Sequence, residues 1–278
     1  MTWTSPSSRP ARPAFRSCWS SATAPMAARA TRMSTSSSAP ASARRRLEGV
    51  AALERALDAG LPVRCVVVPE GPLPAELAAL CDRAAAAGAE IVRGAERRHE
   101  RLAGELAVAA LVGPERDADL DTVMARGGAV WLIAGARYAG NVGTAIRTAE
   151  VSGADGVYID NDFDHDQRRE ARRASMRADR FLPVAWERAG DVIGAARRAG
   201  KRIVGIEDSG RAAPWEIDLT PPVLFIAGGE ADGVPRALLA RCDAVARIPM
   251  AGFVASYNLQ AAVAILAAER LRQRGGSR

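Results

Sequence analysis

From residue 47 onward the apolar positions fall into regular runs. Residues 48–59 have helical spacing and stop at Gly60, and 62–68 form a β-branched run of strand length. Residues 73–87 predict a second helix closed by Gly88. A short strand at 89–93, a polar helix at 95–102 and an apolar strand at 106–112 follow. After an acidic stretch the alternation resumes, with strands predicted at 129–134, 156–160, 202–207, 223–227 and 244–248. Helices are predicted at 142–151, 166–177, 189–199, 235–240 and 257–272. Short apolar strands between amphipathic helices predict an α/β fold whose parallel sheet is covered on both faces.

Before residue 46 this patterning is missing. Residues 1–45 are rich in Ser, Pro, Ala and Arg, and such a segment buries too little apolar surface to offset its ordering entropy. It reads as a disordered leader: a basic arm for phosphate, an organelle transit peptide, or an extended start. The organisation expected is therefore a tail at 1–45, a small α/β domain at 46–113, a linker at 114–127 and a larger α/β domain at 128–278.

Charge refines this picture. The 278-residue chain has a formal charge of +6, which suggests an acidic partner such as nucleic acid. Residues 1–47, however, hold eight of the 38 basic residues and no Asp or Glu. The remainder has 30 basic and 32 acidic residues, a net of −2. An RNA-binding surface on the folded part must come from local clustering. The densest cluster is Arg168, Arg169, Arg172, Arg173, Arg177 and Arg180, most of it spaced along one helical face and read as contacting phosphates. Its plainer reading is a solvated face partly balanced by Glu170 and Asp179. Cys18, Cys65, Cys81 and Cys242 form no C-x-x-C pair, and His99 and His165 are isolated, so no metal site is expected. These thiols and the lack of a bilayer-length apolar run fit a protein of a reducing cytoplasm, away from membranes.

Three segments carry candidate chemistry, each following a predicted strand. In Gly140-Asn141-Val142-Gly143-Thr144-Ala145-Ile146-Arg147 a Gly/Asn turn opens a helix, with Asn141 suited to its N-cap. In Phe225-Ile226-Ala227-Gly228-Gly229-Glu230-Ala231-Asp232-Gly233-Val234-Pro235 a strand runs into a glycine-rich loop, where a ligand could approach the backbone. It is neither a dinucleotide fingerprint nor a P-loop. Ile248-Pro249-Met250, then Ser256-Tyr257-Asn258-Leu259, offers polar side chains beside the free N–H groups of the last helix. Each segment alone reads equally well as a turn, a loop or a helix cap.

In this order and spacing the three segments resemble the motifs of the SPOUT methyltransferase superfamily. The nearest branch is the TrmH/SpoU type of RNA 2′-O-ribose methyltransferases, with particular similarity to thiostrepton/nosiheptide-resistance ribosomal RNA methyltransferases. Leu47-Glu48-Gly49 and the helix after it resemble that branch's L30e-like RNA-binding domain. The resemblance implies a carboxy-terminal trefoil knot, a homodimer and S-adenosylmethionine as methyl donor. It implies that Ile206, Gly228, Gly229, Ile248, Met250, Tyr257 and Leu259 hold the donor. Asn141, Arg147, Glu230, Ser256 and Asn258 would form the catalytic and substrate side, and Arg173-Ala174-Ser175 matches a basic stretch of the family. Tyr257 departs from the usual leucine, Gln260-Ala261 from small polar residues, and Ala136-Arg137-Tyr138-Ala139 from a common proline. The expected activity is methylation of a ribose 2′-hydroxyl, probed first on ribosomal RNA and linked by the resemblance to thiopeptide resistance. The alternatives are the same fold acting on a small molecule or transfer RNA, and a non-catalytic RNA-binding homologue.

Overall fold

The computed structural model describes residues 45–94, 108–113, 119–254 and 256–275. The 1–44 leader and the 95–102 helix predicted from sequence lie outside these residues. The first layer contains β1 (Arg45–Glu48), α1 (Val50–Asp58), β2 (Val63–Pro69), α2 (Ala75–Ala86), β3 (Glu90–Gly94) and β4 (Ala109–Val112). Its sheet runs β1-β4-β2-β3, with β4 antiparallel to both β1 and β2 and with β2 parallel to β3. Leu53, Ala56, Leu77, Leu80 and Ala84 close the helices onto Val66 and Val68. The helix expected from residue 48 is preceded by strand β1, because Gly49 at φ 87° turns the chain between them.

The second layer begins with α3 (Leu120–Met124), a short helix inside the expected linker. Asp119 caps it by accepting from the Thr122 amide. There follow β5 (Ala129–Ala134), α4 (Ala139–Val151), β6 (Gly156–Asp160), α5 (His165–Ala174), β7 (Val184–Trp186), α6 (Ala189–Arg198), β8 (Arg202–Ile206), β9 (Val223–Gly228), α7 (Arg236–Leu239), β10 (Ala244–Ala246) and α8 (Leu259–Gln273). The sheet is parallel throughout, in the order β10-β8-β9-β5-β6-β7. Alternation along the central strand β5 divides the core. Trp131 and Ile133 face α4 and α8, whereas Val130 and Leu132 face α3 and α6. Trp131 stacks on Phe225 of the neighbouring strand with ring centroids 4.6 Å apart. Each such fully buried side chain stabilises the fold by about 1.5–3 kcal/mol.

Two features fix the helices that carry the candidate residues. Gly143 lets α4 lie directly on α5. A Cβ there would sit 2.4 Å from the Ala171 carbonyl oxygen and 2.5 Å from the Ala174 Cβ. At the opposite end of the strands Lys201 is buried, and its ammonium donates to the Arg126 carbonyl at 2.6 Å and the Gly128 carbonyl at 3.0 Å. Burial pushes the Lys201 pKa down to about 8, against the attraction of Asp155.

Several boundaries differ from expectation. The predicted 166–177 helix ends at Ala174, since Met176 and Arg177 adopt left-handed backbone conformations at φ 56° and 69°. Strand β7 was not expected from three half-buried residues, and β10 stops at Ala246. No helix among the described residues is long and apolar enough to cross a membrane.

Replacing Gly143 with alanine is expected to cost about 1–3 kcal/mol by forcing the helices apart, seen as a lower urea midpoint with an unchanged slope. Lys201 sets a pH dependence. An unfolded lysine titrates near 10.4, so between about pH 8 and 10 the unfolded chain holds a proton that the folded chain has released. Stability from this group therefore rises with pH across that window. Thermal melts of Lys201→Met should lose that rise relative to the parent protein.

Candidate active site

A cavity of about 380 Å³ opens beyond the carboxyl ends of β8 and β9, where ligands bind in open α/β sheets. Its walls come from the end of β8, the 227–233 loop and the segments around Ile248-Pro249-Met250 and Ser256–Leu259. All seven residues expected on the donor side line it: Ile206, Gly228, Gly229, Ile248, Met250, Tyr257 and Leu259. The two glycines are required by close packing of backbone. A Cβ on Gly228 would lie 2.0 Å from the Gly233 carbonyl carbon, and one on Gly229 would lie 2.0 Å from the Gly135 oxygen. The loop closes on itself through the Gly233 amide, which donates to the Gly229 carbonyl at 3.2 Å.

Glu207 secures this loop from the side. One of its carboxylate oxygens accepts from the Val234 amide at 2.7 Å and the other from the Asp208 amide at 3.1 Å. Sequence reading missed Glu207 because it was counted as the last residue of a buried strand. The signal was a carboxylate at a strand's carboxyl end.

The expected catalytic residues separate into two groups. Glu230 accepts from the Asn141 side-chain amide at 2.6 Å and from the Arg137 backbone amide at 3.0 Å. The Asn258 amide donates to the Asn141 side-chain oxygen at 3.4 Å, while the Asn258 oxygen caps α8 by accepting from the Gln260 amide at 2.9 Å. One residue from each sequence motif is thus joined in a single chain of hydrogen bonds beside the cavity. Arg137 adds an ion pair to Asp232 at 2.9 Å. Asn141 is not the N-cap of its helix as expected. Tyr138 occupies that position, and Asn141 sits inside the first turn, leaving its side chain for Glu230.

Ser256 and Tyr257 line the cavity. The Tyr257 hydroxyl donates to the Pro249 carbonyl at 3.3 Å, and the side chain remains 46% exposed at the rim. Arg147 stands apart. It is exposed on α4 and has no hydrogen bond or ion pair among the described residues. Six residues separate it from Asn141, which is about 9 Å along the helix and roughly 120° around it.

The arginine cluster is also divided. Arg168, Arg169, Arg172 and Arg173 lie on α5, whereas Arg177 lies beyond its end in the left-handed turn. Arg168 and Arg172 each approach the Trp186 ring, at 5.2 and 5.4 Å from its centroid. Arg169 pairs loosely with Asp166 at 3.5 Å, and Arg180 pairs with Glu90 at 3.1 Å. Among the described residues neither Glu170 nor Asp179 forms an ion pair with these arginines. Asp179 instead accepts from the Ser175 hydroxyl at 3.1 Å.

Comparison with known proteins agrees with this geometry. Residues 130–268 match the SpoU rRNA Methylase family. The chain is 29% identical to the 23S rRNA (guanosine-2'-O-)-methyltransferase RlmB of Xanthomonas axonopodis pv. citri, over 66% of this chain and 74% of that protein. It is 32% identical to the RlmB of Xylella fastidiosa, over 64% of this chain and 72% of that protein. Among solved structures, the AdoMet-bound rRNA methyltransferase from Sinorhizobium meliloti superposes with a TM-score of 0.53 and 26% identity, covering 82% of this chain and 87% of that one. The matched segment contains the parallel sheet, the cavity and the hydrogen-bond chain that joins its three loops, and the chain belongs to the SpoU rRNA Methylase family.

Proposed function

We propose that this protein transfers a methyl group from S-adenosylmethionine to a ribose 2′-hydroxyl of RNA, with ribosomal RNA as the substrate class. The observation that carries this reading is the Glu230–Asn141–Asn258 chain, which ties the first motif segment to a cavity lined by the other two. The cavity suits the donor in size and chemistry. Its volume of about 380 Å³ is in the range of small-molecule sites. Ile206, Ile248 and Leu259 offer apolar wall, and the carboxylates of Glu207, Asp208, Glu230 and Asp232 favour a cationic ligand. When bound, the donor supplies an activated methyl on a sulfonium centre, and the protein's task is chiefly positioning.

Glu230 already accepts two hydrogen bonds, so it serves to fix Asn141 and the loop rather than to collect a proton. Asn141 and Asn258 are assigned to the substrate side, and Ser256 lies at the cavity wall. Arg147 is assigned to a substrate phosphate or to the oxyanion that develops as the hydroxyl loses its proton. A guanidinium carries permanent charge and a fork of donors suited to either. The arginines of α5 and Arg177 are assigned to flanking RNA phosphates.

The same reading includes a carboxy-terminal trefoil knot, an L30e-like recognition domain at 46–113, a linker at 114–127 and a homodimer. Support for the knot comes from chain segments passing in backbone contact: a Cβ on Gly210 would lie 2.6 Å from the Val245 oxygen, and Gly229 abuts Gly135. Support for the dimer comes from α4 and α8, which expose Val151 (69%) and Leu271 (42%), with Arg147 on α4 making no hydrogen bond or ion pair among the described residues.

Calorimetry with S-adenosylmethionine should show one donor site per chain, and labelled methyl should pass to ribosomal RNA fragments in preference to transfer RNA. A pure protein that binds no donor would refute the assignment. Arg147→Ala should lower transfer by at least about 100-fold, as for loss of one charge-stabilising group, while donor affinity stays within twofold. Light scattering should give twice the chain mass, and a monomer that turns over normally would remove the dimer from the reading.

A further inference from the structure

The end of α5 and the edge strand β7 carry an arrangement that catalysis at the cavity does not explain. Trp186 is half-buried, and its indole nitrogen is buried without a hydrogen-bond partner among the described residues. A buried donor left unsatisfied is costly, and the contacts the indole does make are through the face of its ring. Two guanidiniums use that ring, those of Arg168 at 5.2 Å and Arg172 at 5.4 Å. Arg168 is fixed further by its Nε, which donates to the Phe163 carbonyl at 3.0 Å. A guanidinium held against a ring keeps its in-plane donors for another partner. Arg172 and Arg173 have no ion pair or hydrogen bond from their side chains among the described residues.

The next turn adds a second, independent observation. Met176 and Arg177 are both left-handed, at φ 56° and 69°. This backbone region is costly for any residue with a Cβ and free for glycine. Neither side chain offsets that cost by burial, since Met176 is 64% exposed and Arg177 is also exposed. The turn is held from beneath by Ser175, which is fully buried and whose hydroxyl bridges the Arg172 carbonyl at 2.7 Å and the Asp179 carboxylate at 3.1 Å. It also lies against the catalytic helix, because Gly143 of α4 faces the Ala171 carbonyl and the Ser175 amide.

We infer that this corner is a preorganised clamp for RNA phosphates, in which Trp186 positions Arg168 and Arg172 and the strained turn presents Arg177. The inference rests on the reading of the substrate as RNA and extends it. The clamp sets where RNA is gripped beside α4, and the protein carries a suboptimal residue at position 177 for the sake of that grip. Trp186 is a positioning residue, acting through the two arginines it touches.

The test is titration of a labelled ribosomal RNA fragment by fluorescence anisotropy at several salt concentrations, alongside thermal melts and donor calorimetry. Arg177→Gly should raise Tm by about 2–4 °C, as expected for relief of local strain in a chain of this size. It should also weaken RNA binding about tenfold and make the plot of log affinity against log salt shallower by roughly 0.7–0.9. Trp186→Leu should weaken RNA binding with donor affinity unchanged, and Trp186→Phe, which restores a ring face, should recover part of the loss. Arg177→Gly that binds RNA with parental affinity and salt slope overturns the clamp, even if Trp186→Leu fails to fold. A parent protein that binds donor but no RNA overturns the clamp and the proposed substrate together. Parental RNA binding that falls as described, without any methyl transfer, supports the clamp and removes only the catalytic reading.

Discussion

The Glu230 carboxylate meets the Asn141 amide at 2.6 Å across 89 residues of sequence, and Asn258 reaches Asn141 across a further 117. Loops beyond a parallel sheet have no strand partners to fix them, so their positions depend on bonds of this kind. Glu230 holds the glycine-rich loop to the start of α4, and Asn258 ties the start of α8 to the same point while capping it. Removing the carboxylate would leave the Asn141 amide and the Arg137 N–H without their acceptor and release the glycine-rich loop from the start of α4. The three loops are joined at one residue, Asn141, which donates to Glu230 and accepts from Asn258.

That convergence is possible only where the backbone can pass close to itself. Gly228, Gly229 and Gly233 have no room for a side chain, since Cβ atoms there would meet Gly233, Gly135 and the Glu207 carboxylate respectively. The glycines therefore serve packing between loops as much as ligand approach. Glu207 completes the enclosure by accepting the Val234 amide that the folded loop presents. On the far side, Gly143 does the equivalent for helices, setting α5 against α4 and so placing the arginine corner beside Asn141.

Much of this was legible in the sequence, for identifiable reasons. Strands such as Ala129–Ala134 and Val223–Gly228 are unbroken apolar runs, and their positions follow from burial on both faces. The seven residues expected on the donor side line one cavity because strand ends and glycine loops have a fixed geometric meaning in parallel sheets. What escaped depended on contacts between distant segments. Asn141 has the composition of an N-cap, yet the helix begins at Ala139, and its side chain serves distant segments instead: its nitrogen donates to Glu230 and its oxygen accepts from Asn258. Glu207 looked like a strand residue until the loop it secures was in place. Periodicity carried the 166–177 helix past its true end because nothing local to Met176 or Arg177 marks a left-handed turn. The turn is imposed by the buried Ser175 beneath it.

Charge was the least transparent property, since residues 1–47 carry +8 while the rest of the chain sums to −2. A near-neutral folded part is what a two-substrate site of this kind requires. The donor is a cation, and the cavity lining includes Glu207, Asp208, Glu230 and Asp232. RNA is a polyanion, and the surface one helix away carries Arg168, Arg169, Arg172, Arg173 and Arg177. A uniformly basic surface would strengthen the hold on RNA but oppose entry of the sulfonium. Keeping the two charges on separate elements lets each ligand meet a complementary field. Gly143 brings the two fields together, because it allows the arginine-bearing end of α5 to pack against the helix whose Asn141 reaches the acidic loop.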